Sequence, residues 1–250
     1  MKKTSFLRSI GRFLTGKVLP KGIAYPIILG PLKGFRFILG AAAGEGCGAT
    51  VFINQLEREQ SQTFIAKVKP GMVFFDVGAN VGYYTLLGSR LVAENGIVVS
   101  VEPIVRNLSY LWQHIEKNGL KNVIVLPMAC SDIASGIEGL SFGINSAEGR
   151  LSTLLNSDSK IDTWTSVVTL DLISQQTGLK PDVIKIDVEG AEMKVLSGAK
   201  ETISGFRPKI FLSVHSNKLG VECLKFLNDF GYSIVALSNL GEEDAEYFAY

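Results

Sequence analysis

The segment FFDVGANVGYY at residues 74–84 constrains the fold more than any other part of the chain. An apolar run stops at the acidic Asp76, and two glycines then enclose Ala79, Asn80 and Val81 ahead of two tyrosines. A buried strand that passes through a glycine turn into a helix is typical of the first crossover in an open α/β sheet. Ligands of such sheets bind outside the carboxyl ends of the strands, so the segment predicts a ligand-binding turn.

The chain on either side of this turn alternates between strand patterns and helical patterns. The strand patterns are continuous β-branched and aromatic runs, which are typical of strands covered on both faces. This alternation predicts a doubly wound α/β fold with a mostly parallel sheet. Strands are predicted at 73–77, 97–101, 122–127, 182–187 and 208–214, and helices at 55–68, 82–92, 104–118, 171–178, 190–204 and 217–230.

Two later segments depart from the alternation. Strands are predicted at 232–237 and 245–250, and the short link that begins at 239–241 allows them to form an antiparallel C-terminal pair. Residues 133–168 are rich in Gly, Ser and Asn, so we expect a loop or hairpin insertion there on the ligand side of the sheet.

Residues 1–68 are predicted to form a basic N-terminal extension or cap, and residues 69–250 the main domain. Residues 1–44 carry eight basic side chains and no acidic one, so 17 basic groups stand against 24 acidic groups in the rest of the chain. A mildly acidic main domain is not expected to bind nucleic acid. Apolar residues between Phe6 and Val18 recur at helical spacing. They predict a basic amphipathic helix that docks on its own domain or makes peripheral contact with an anionic membrane surface.

Three ligand classes compete for the glycine turn. A P-loop requires the pattern GxxxxGK[ST], and neither its spacing nor its lysine is present. A dinucleotide turn requires GxGxxG, but Asn80 stands where the second glycine would approach a pyrophosphate. S-adenosylmethionine fits better, because its ammonium and sulfonium groups are cationic and favour a nearby carboxylate such as Asp76. Its single carboxylate can use the amides at a helix N-terminus.

The ends of the next two strands support a nucleoside ligand. Glu102 follows the second strand, where a carboxylate can accept hydrogen bonds from both hydroxyls of a ribose. This acid excludes NADP but would also suit NAD. The sequence ACSD follows the third strand, where adenine would lie, and places Ser131 and Asp132 beside it. Asp132 is predicted to accept a hydrogen bond from the adenine amino group.

The fourth strand carries alternating charges in the segment VIKIDVEGAEM. Lys185, Asp187 and Glu189 would lean to one face of an extended strand, and Gly190 permits close approach of the backbone to a ligand. Charged groups at the end of a central strand are costly unless they are paired or functional. The segment therefore indicates either a lysine–aspartate pair that orders the strand end or a set of catalytic groups.

These segments together resemble the FkbM-family methyltransferases. The resemblance runs from about residue 69 to at least residue 231 and is carried by DVGANVGYYTLL, VEP, NGLKNVIVLPMACSD, VVTLD and IKIDVEGAEMKVLSGA. It implies a class I, Rossmann-like methyltransferase fold, S-adenosylmethionine as donor, and O-methylation of hydroxyls on sugars, glycolipids or polyketide-like products. The predicted cofactor contacts are Asp76, Gly78, Ala79, Asn80, Gly82, Tyr83, Glu102, Ser131, Asp132 and Asp187.

The same resemblance places Asp187 and Glu189 next to the methyl group and the acceptor. The chain departs from the family at Ser213, where the family often has an acid, and in the segment GRLST before the TLD motif. Both departures concern the acceptor rather than the donor.

His215 is predicted as the general base, because it ends the fifth strand on the ligand side. Glu189 is the rival candidate for the base, and Asp187 and Lys185 complete the predicted catalytic set. The alternative role for His215 is structural, with its ring hydrogen-bonded to the backbone. A third possibility is that Asp187, Glu189 and His215 gather a divalent cation, although their spacing is not that of a compact metal motif. The other histidine, His114, is expected to be structural.

The sequence therefore predicts an S-adenosylmethionine-dependent O-methyltransferase with a small-molecule, glycan or lipid acceptor. The alternatives are an NAD-binding oxidoreductase, favoured by Glu102 but opposed by Asn80, and a non-catalytic nucleoside-binding module. The three cysteines lie far apart in the chain, which fits a cytoplasmic protein without a disulfide framework or a zinc site.

Overall fold

A computed structural model describes residues 19–42, 48–54, 56–143, 149–154, 160–239 and 244–250. The predicted basic helix between Phe6 and Val18, Cys47 and most of the link at 239–241 lie outside the described residues. The strands are β1 (Ala24–Pro26), β2 (Arg36–Ile38), β3 (Val73–Val77), β4 (Ile97–Val101), β5 (Val123–Leu126), β6 (Ala129–Cys130), β7 (Ser135–Phe142), β8 (Gly149–Leu151), β9 (Thr163–Val168), β10 (Val183–Ile186), β11 (Lys209–Val214), β12 (Ile234–Asn239) and β13 (Ala245–Ala249). The α-helices are Ala49–Phe52, Arg58–Lys67, Tyr83–Val92, Val105–Lys117, Leu170–Thr177, Glu192–Ser197, Lys200–Phe206 and Asn217–Asp229, and a 3₁₀ turn spans Ser152–Leu154.

A seven-stranded sheet forms the centre of the molecule, in the order β12-β13-β11-β10-β3-β4-β5. The five strands from β11 to β5 are parallel, and β13 runs antiparallel to both of its neighbours. Helices connect the parallel strands as the alternating pattern predicts. The predicted doubly wound fold and its reversed C-terminal strand are therefore confirmed.

Both faces of this sheet are buried, because successive side chains of a strand point to opposite sides. On β3, the Phe74 side chain packs in the core on one face of the sheet, and the Phe75 side chain packs in the core on the other face. Neither side chain is exposed to solvent. The order of strands reverses between β3 and β10, which makes the carboxyl ends of these two strands the switch point of the sheet. Ligands bind at such points in open α/β sheets.

The predicted helix at 190–204 is wrong in its extent, since it consists of two helices, Glu192–Ser197 and Lys200–Phe206. Gly198 lies at the break, and a β-carbon there would be 2.2 Å from the Ser131 carbonyl oxygen. The chain therefore turns where the backbone of another element approaches it closely. The side chain of Asp171 then accepts hydrogen bonds from the amides of Glu201 and Thr202 at the start of the second helix.

The insertion predicted at 133–168 contains strands, as the hairpin interpretation proposed. A second sheet has the order β6-β9-β7-β8, and β7 pairs antiparallel with both β8 and β9. Leu140 and Leu151 from this sheet are buried in a small apolar cluster with Ala129, Val167 and Ala191. The insertion thus lies against the ligand side of the main sheet.

The described residues before residue 69 share a core with β3 and with the helix Tyr83–Val92. Phe37 is fully buried and its ring stacks on His114, with 4.2 Å between the ring centroids. His114 Nε2 accepts a hydrogen bond from the Ile38 amide, and Nδ1 donates to the Val81 carbonyl. His114 is therefore a buried structural residue. Within the described residues, no helix combines the length and the apolar character that crossing a membrane requires.

Candidate functional site

Three cavities open at the carboxyl ends of β3, β4, β10 and β11. One of them, which we call the Glu102 cavity, has a lining that includes Gly78, Asn80, Glu102, Cys130, Leu140 and Glu189. The Tyr84 cavity, of ≈ 200 Å³, is lined in part by Glu57, Tyr83, Tyr84, Lys185, Asp187 and Glu189. The His215 cavity, of ≈ 420 Å³, includes Arg150, Glu189, Gly190, His215, Lys218 and Glu222 in its lining. Glu189 borders all three, so the cavities meet at its side chain.

Glu102 holds the turn after β3 in place from the tip of β4. Its side chain is 3% exposed, and Oε2 accepts a hydrogen bond of 2.7 Å from the Asn80 amide. Oε1 accepts from the Ile104 amide at 2.8 Å and from the Asn107 side chain at 3.3 Å. Burial raises the pKa of Glu102 to about 7, although these hydrogen bonds act in the opposite direction. A carboxylate has about four acceptor positions, so one of them is left for a ligand.

The first glycine of the turn is required by packing against β10. Gly78 has a φ of 80°, and a β-carbon there would lie 1.8 Å from the Asp187 carbonyl oxygen. Asn80 also adopts a left-handed conformation, with a φ of 50°, and its own Oδ1 accepts from the Val81 amide. The turn that the sequence assigned to a ligand is therefore fixed jointly by Glu102 and by the end of β10.

Asp76 lies below the turn rather than at its surface. It is 1% exposed, lines the Tyr84 cavity, and Oδ2 accepts a hydrogen bond of 2.7 Å from Thr85 Oγ1. Burial raises the pKa of Asp76 to about 6, against the opposing charge of Lys185. Ala79 and Tyr83 line the same cavity.

The Tyr84 cavity contains buried polar groups whose contacts with one another are not ideal, since the Glu57 carboxyl group lies beside the Tyr84 hydroxyl and the Tyr83 hydroxyl lies beside Ser61. The hydroxyls of Tyr83 and Tyr84 and one carboxylate oxygen of Glu57 are buried and make no hydrogen bond of normal geometry with the described residues. Four carboxyl groups line the cavity, those of Glu57, Asp76, Asp187 and Glu189, against the single ammonium of Lys185. Burial raises the pKa of Glu57 to about 7. Such a cavity favours a cationic ligand that can also accept or donate hydrogen bonds.

Lys185 forms the buried lysine–aspartate pair that the sequence allowed. Its Nζ lies 2.6 Å from Asp187 Oδ2 and 4.6 Å from the centre of the Tyr84 ring. Burial alone would lower the pKa of Lys185, but the carboxyl groups of Asp187, Glu57 and Asp76 raise it above its usual value. The ammonium is therefore charged, and it orients one oxygen of Asp187.

His215 lies between three carboxyl groups at the end of β11. Its Nδ1 is 2.8 Å from Glu192 Oε1, and its Nε2 is 3.5 Å from Asp187 Oδ1 and 3.7 Å from Glu189 Oε2. Burial would lower the pKa of His215, but the hydrogen bond to Glu192 and the charges of Asp187, Glu192 and Glu189 raise it to about 9. The structure thus brings together Asp187, Glu189 and His215, which the sequence placed on two separate strands.

Three predicted cofactor contacts, Gly82, Ser131 and Asp132, line neither the Glu102 cavity nor the Tyr84 cavity. Ser131 is fully buried and its hydroxyl points to Glu138, while Asp132 forms an ion pair of 3.2 Å with Lys194. A β-carbon on Gly82 would meet Leu111 at 2.5 Å, so this glycine faces a neighbouring helix. Strand β6 is paired with β9, and this pairing leaves Ala129 and Cys130 on the cavity wall in place of the two following residues.

Two residues of the site were not found from the sequence. Glu192 accepts hydrogen bonds from His215 and from the Gly190 amide, and its carboxylate is fully buried. The spacing VEGAE, which puts a second acid three residues after Glu189, was the only signal for it. Glu57 left no signal, because it lies in a segment that predicts an ordinary exposed helix.

The strand order, the reversed β13 and the buried acid at the tip of β4 agree with the predicted class I, Rossmann-like methyltransferase fold. The chain belongs to the FkbM methyltransferase family, because the family model described as Methyltransferase FkbM domain matches residues 76–234. The match extends from Asp76 through Glu102 and Asp187 to His215 and beyond. The predicted family and its methyl donor, S-adenosylmethionine, are confirmed, and an NAD-dependent oxidoreductase no longer fits.

Several solved structures are similar to the chain at low sequence identity. An FkbM methyltransferase from Methylobacillus flagellatus has 16% identity and a TM-score of 0.49, over 99% of this chain and 60% of that one. A precorrin-6y C5,15-methyltransferase from Geobacter metallireducens has 14% identity and a TM-score of 0.47, over 79% of this chain and 90% of that one. Aeropyrum pernix fibrillarin with natively bound S-adenosyl-L-methionine has 14% identity and a TM-score of 0.46, over 74% of this chain and 68% of that one. No curated protein matches the chain significantly.

Proposed function

We propose that the protein transfers a methyl group from S-adenosylmethionine to a hydroxyl of a sugar, a glycolipid or a polyketide-like metabolite. The observation that carries this proposal is the meeting of three cavities at Glu189, beside Asp187 and His215. Two of the cavities suit the two ends of the cofactor, and the third is open to an acceptor. The group to be methylated would then lie beside the His215 imidazole and next to two carboxylates, which are groups that accept a hydroxyl proton.

The residues present fit the cofactor at both of its ends. In the Glu102 cavity, the remaining acceptor position of Glu102 suits a ribose hydroxyl, and Ile104, Met128 and Cys130 offer an apolar wall for adenine. In the Tyr84 cavity, the Glu57 carboxyl group and the hydroxyls of Tyr83 and Tyr84, which make no hydrogen bond of normal geometry with the described residues, suit an ammonium and a carboxylate. When bound, S-adenosylmethionine supplies a methyl group that is activated by its sulfonium.

Asp187, Glu189 and His215 would orient the acceptor hydroxyl, and a carboxylate of Asp187 or Glu189 would accept its proton, because the raised pKa of about 9 keeps the predicted base His215 protonated near neutral pH. Positioning of two reactants supplies about 7–11 kcal/mol of a barrier. A general base contributes about 10²–10⁴-fold, or roughly 3–5.5 kcal/mol. Placement of donor and acceptor therefore dominates, and Lys185 contributes to it by fixing one oxygen of Asp187.

The proposed domain division gives the extension a role in closing the site. Phe37, Val51, Leu56 and Glu57 belong to residues 1–68 and line the Tyr84 cavity. The extension would then act as a cap that shields the amino-acid end of the cofactor from water. Removal of water from that end strengthens the electrostatic contacts inside the cavity.

The proposal is tested by following label from methyl-tritiated S-adenosylmethionine into hydroxyl-bearing glycans, glycolipids and polyketide-type compounds. We expect label in a fraction that resists both nuclease and mild base, because a methyl ether resists both treatments. Glu102→Ala should lower transfer at least tenfold at limiting cofactor, since it removes the ribose contact and frees the Asn80 amide. Glu116→Gln, on the exposed face of the helix Val105–Lys117, is the matched control and should leave transfer unchanged.

Other distributions of the label would contradict the proposal. Label released by nuclease would identify a nucleic-acid acceptor, and label released by mild base would identify a methyl ester. Binding of S-adenosylhomocysteine without transfer to any of these compound classes would favour a nucleoside-binding module over the enzyme.

A further inference from the structure

We propose that Asp187, Glu189 and His215 form a binding site for a divalent first-row transition-metal cation such as Mn²⁺. One ligand atom from each of the three side chains lies within 4.8 Å of the other two. The side chains are 25%, 29% and 19% exposed, and Glu189 and His215 border the His215 cavity, so an ion has a path to them. Two carboxylate oxygens and one imidazole nitrogen are a donor set that suits such ions.

The distances around His215 Nε2 fit ligands of one ion better than partners of one another. Asp187 Oδ1 and Glu189 Oε2 lie 3.5 Å and 3.7 Å from Nε2, which is beyond the usual length of a hydrogen bond. Metal–ligand bonds of about 2.1 Å place neighbouring ligand atoms about 3.0–3.4 Å apart. A contraction of a few tenths of an ångström would bring each oxygen to the distance from Nε2 that a shared ion requires.

The other oxygen of Asp187 is already occupied. Asp187 Oδ2 is 2.6 Å from Lys185 Nζ, and this contact turns Oδ1 towards His215. Glu189 has a φ of 53°, a conformation that is uncommon for a glutamate. Gly190 follows with a φ of 104°, and a β-carbon there would meet no atom closer than 4.0 Å, so the backbone of this turn is not crowded.

Glu192 provides a second observation that fits a bound cation. Metal-binding histidines usually donate their other ring nitrogen to a carboxylate, which fixes the tautomer and the ring orientation. His215 Nδ1 is 2.8 Å from Glu192 Oε1, and Oε1 also accepts from the Gly190 amide at 3.0 Å. Glu192 is fully buried, and its Oε2 makes no hydrogen bond with the described residues. A buried carboxylate of this kind is stabilised by positive charge close by, whether on His215 or on an ion that His215 binds.

A cation at this point would act on the acceptor, a consequence that rests on the proposed O-methylation. With the three side chains occupied as ligands, the acceptor hydroxyl would bind the ion and release its proton to water rather than to one of them. The oxygen would then form a bond to the methyl carbon, while the bond between sulfur and that carbon breaks and leaves its electron pair on sulfur. Coordination to a divalent cation lowers the pKa of a bound hydroxyl, which increases the fraction of reactive alkoxide.

The site is tested on the full chain after removal of metals with EDTA. Mn²⁺ is titrated and its free signal is followed by electron paramagnetic resonance, without any cofactor. We expect one Mn²⁺ per chain, at least 100-fold weaker binding for Glu189→Gln, and unchanged binding for the exposed control Glu116→Gln. Glu192→Gln, at a positioning residue, should weaken Mn²⁺ binding about 10–100-fold and keep the affinity for S-adenosylhomocysteine.

A visible spectrum of bound Co²⁺ keeps the proposal testable if Glu192→Gln fails to fold. We expect the spectrum to lose its histidine contribution in His215→Gln. The proposal is overturned if the wild type binds no Mn²⁺ at millimolar concentration, or if Glu189→Gln binds it as the wild type does. Binding of S-adenosylhomocysteine in the presence of EDTA is measured alongside. Its retention together with absent Mn²⁺ binding would remove the metal site and leave the proposed function intact.

Discussion

Replacement of Gly78 by alanine should damage both the stability of the protein and its cofactor site. Two costs add at this position. A residue with a β-carbon in the left-handed region costs about 1–2 kcal/mol, and Gly78 has a φ of 80°. The added β-carbon would also lie 1.8 Å from the Asp187 carbonyl oxygen, whereas carbon and oxygen approach to about 3.3 Å without strain. The turn and the end of β10 must then separate by about 1.5 Å.

Overpacking of this kind costs about 1–3 kcal/mol, so we expect Gly78→Ala to lose about 2–5 kcal/mol of unfolding free energy. Gly71→Ala is a matched control, because Gly71 has a φ of 84° and a β-carbon there would meet no atom within 4 Å. The control carries only the backbone cost of about 1–2 kcal/mol. Urea unfolding followed by circular dichroism measures both variants.

Calorimetry with S-adenosylhomocysteine separates the local effect from the loss of stability. Gly78 and Asp187 both line the Glu102 and Tyr84 cavities, so their separation should lower affinity at least tenfold in folded Gly78→Ala. Gly71→Ala should bind as the wild type does. The reasoning is refuted if the two variants lose equal stability and bind the ligand equally well.

Two further predictions concern buried charged groups. Lys185→Met should lower the free energy of unfolding, measured in urea, by about 3–5 kcal/mol, because it leaves buried carboxylates without their cation. A loss no larger than that of the exposed control Lys200→Met would contradict this prediction. Burial lowers the pKa of His114 to about 4, so the folded state binds fewer protons than the unfolded state between about pH 4 and 6.5. The stability that His114 contributes is complete above pH 6.5 and is lost as the pH falls towards 4. A nuclear magnetic resonance titration, in which the His114 signal is assigned by comparison with His215→Gln, should show a midpoint near pH 4 for His114. A midpoint near pH 6.5 would disprove the prediction.

The sequence predicted those features that depend on local patterns. The strand–turn–helix at Gly78 and the acid at the tip of β4 were visible because a buried strand, a glycine turn and a strand-end carboxylate each have a short signature. The reversed C-terminal strand followed from the short link between two strand patterns. Elements were correct within one or two residues where the apolar runs were long and continuous.

Contacts between distant segments were not predictable in the same way. Asp132 was assigned to adenine, but Lys194 lies 62 residues further along the chain and pairs with it. The break at Gly198 depends on the approach of the Ser131 carbonyl, which a helical pattern does not record. Glu192 becomes part of the site only because β11 brings His215 beside it.

The central claim is that S-adenosylmethionine spans the Glu102 and Tyr84 cavities with its methyl group near Glu189. A crystal structure of the protein with S-adenosylhomocysteine tests it most directly. We expect a ribose hydroxyl within hydrogen-bonding distance of Glu102, and the amino-acid end of the ligand among Glu57, Tyr83 and Tyr84. A ligand bound elsewhere, or cavities filled by side chains at saturating ligand, would contradict it.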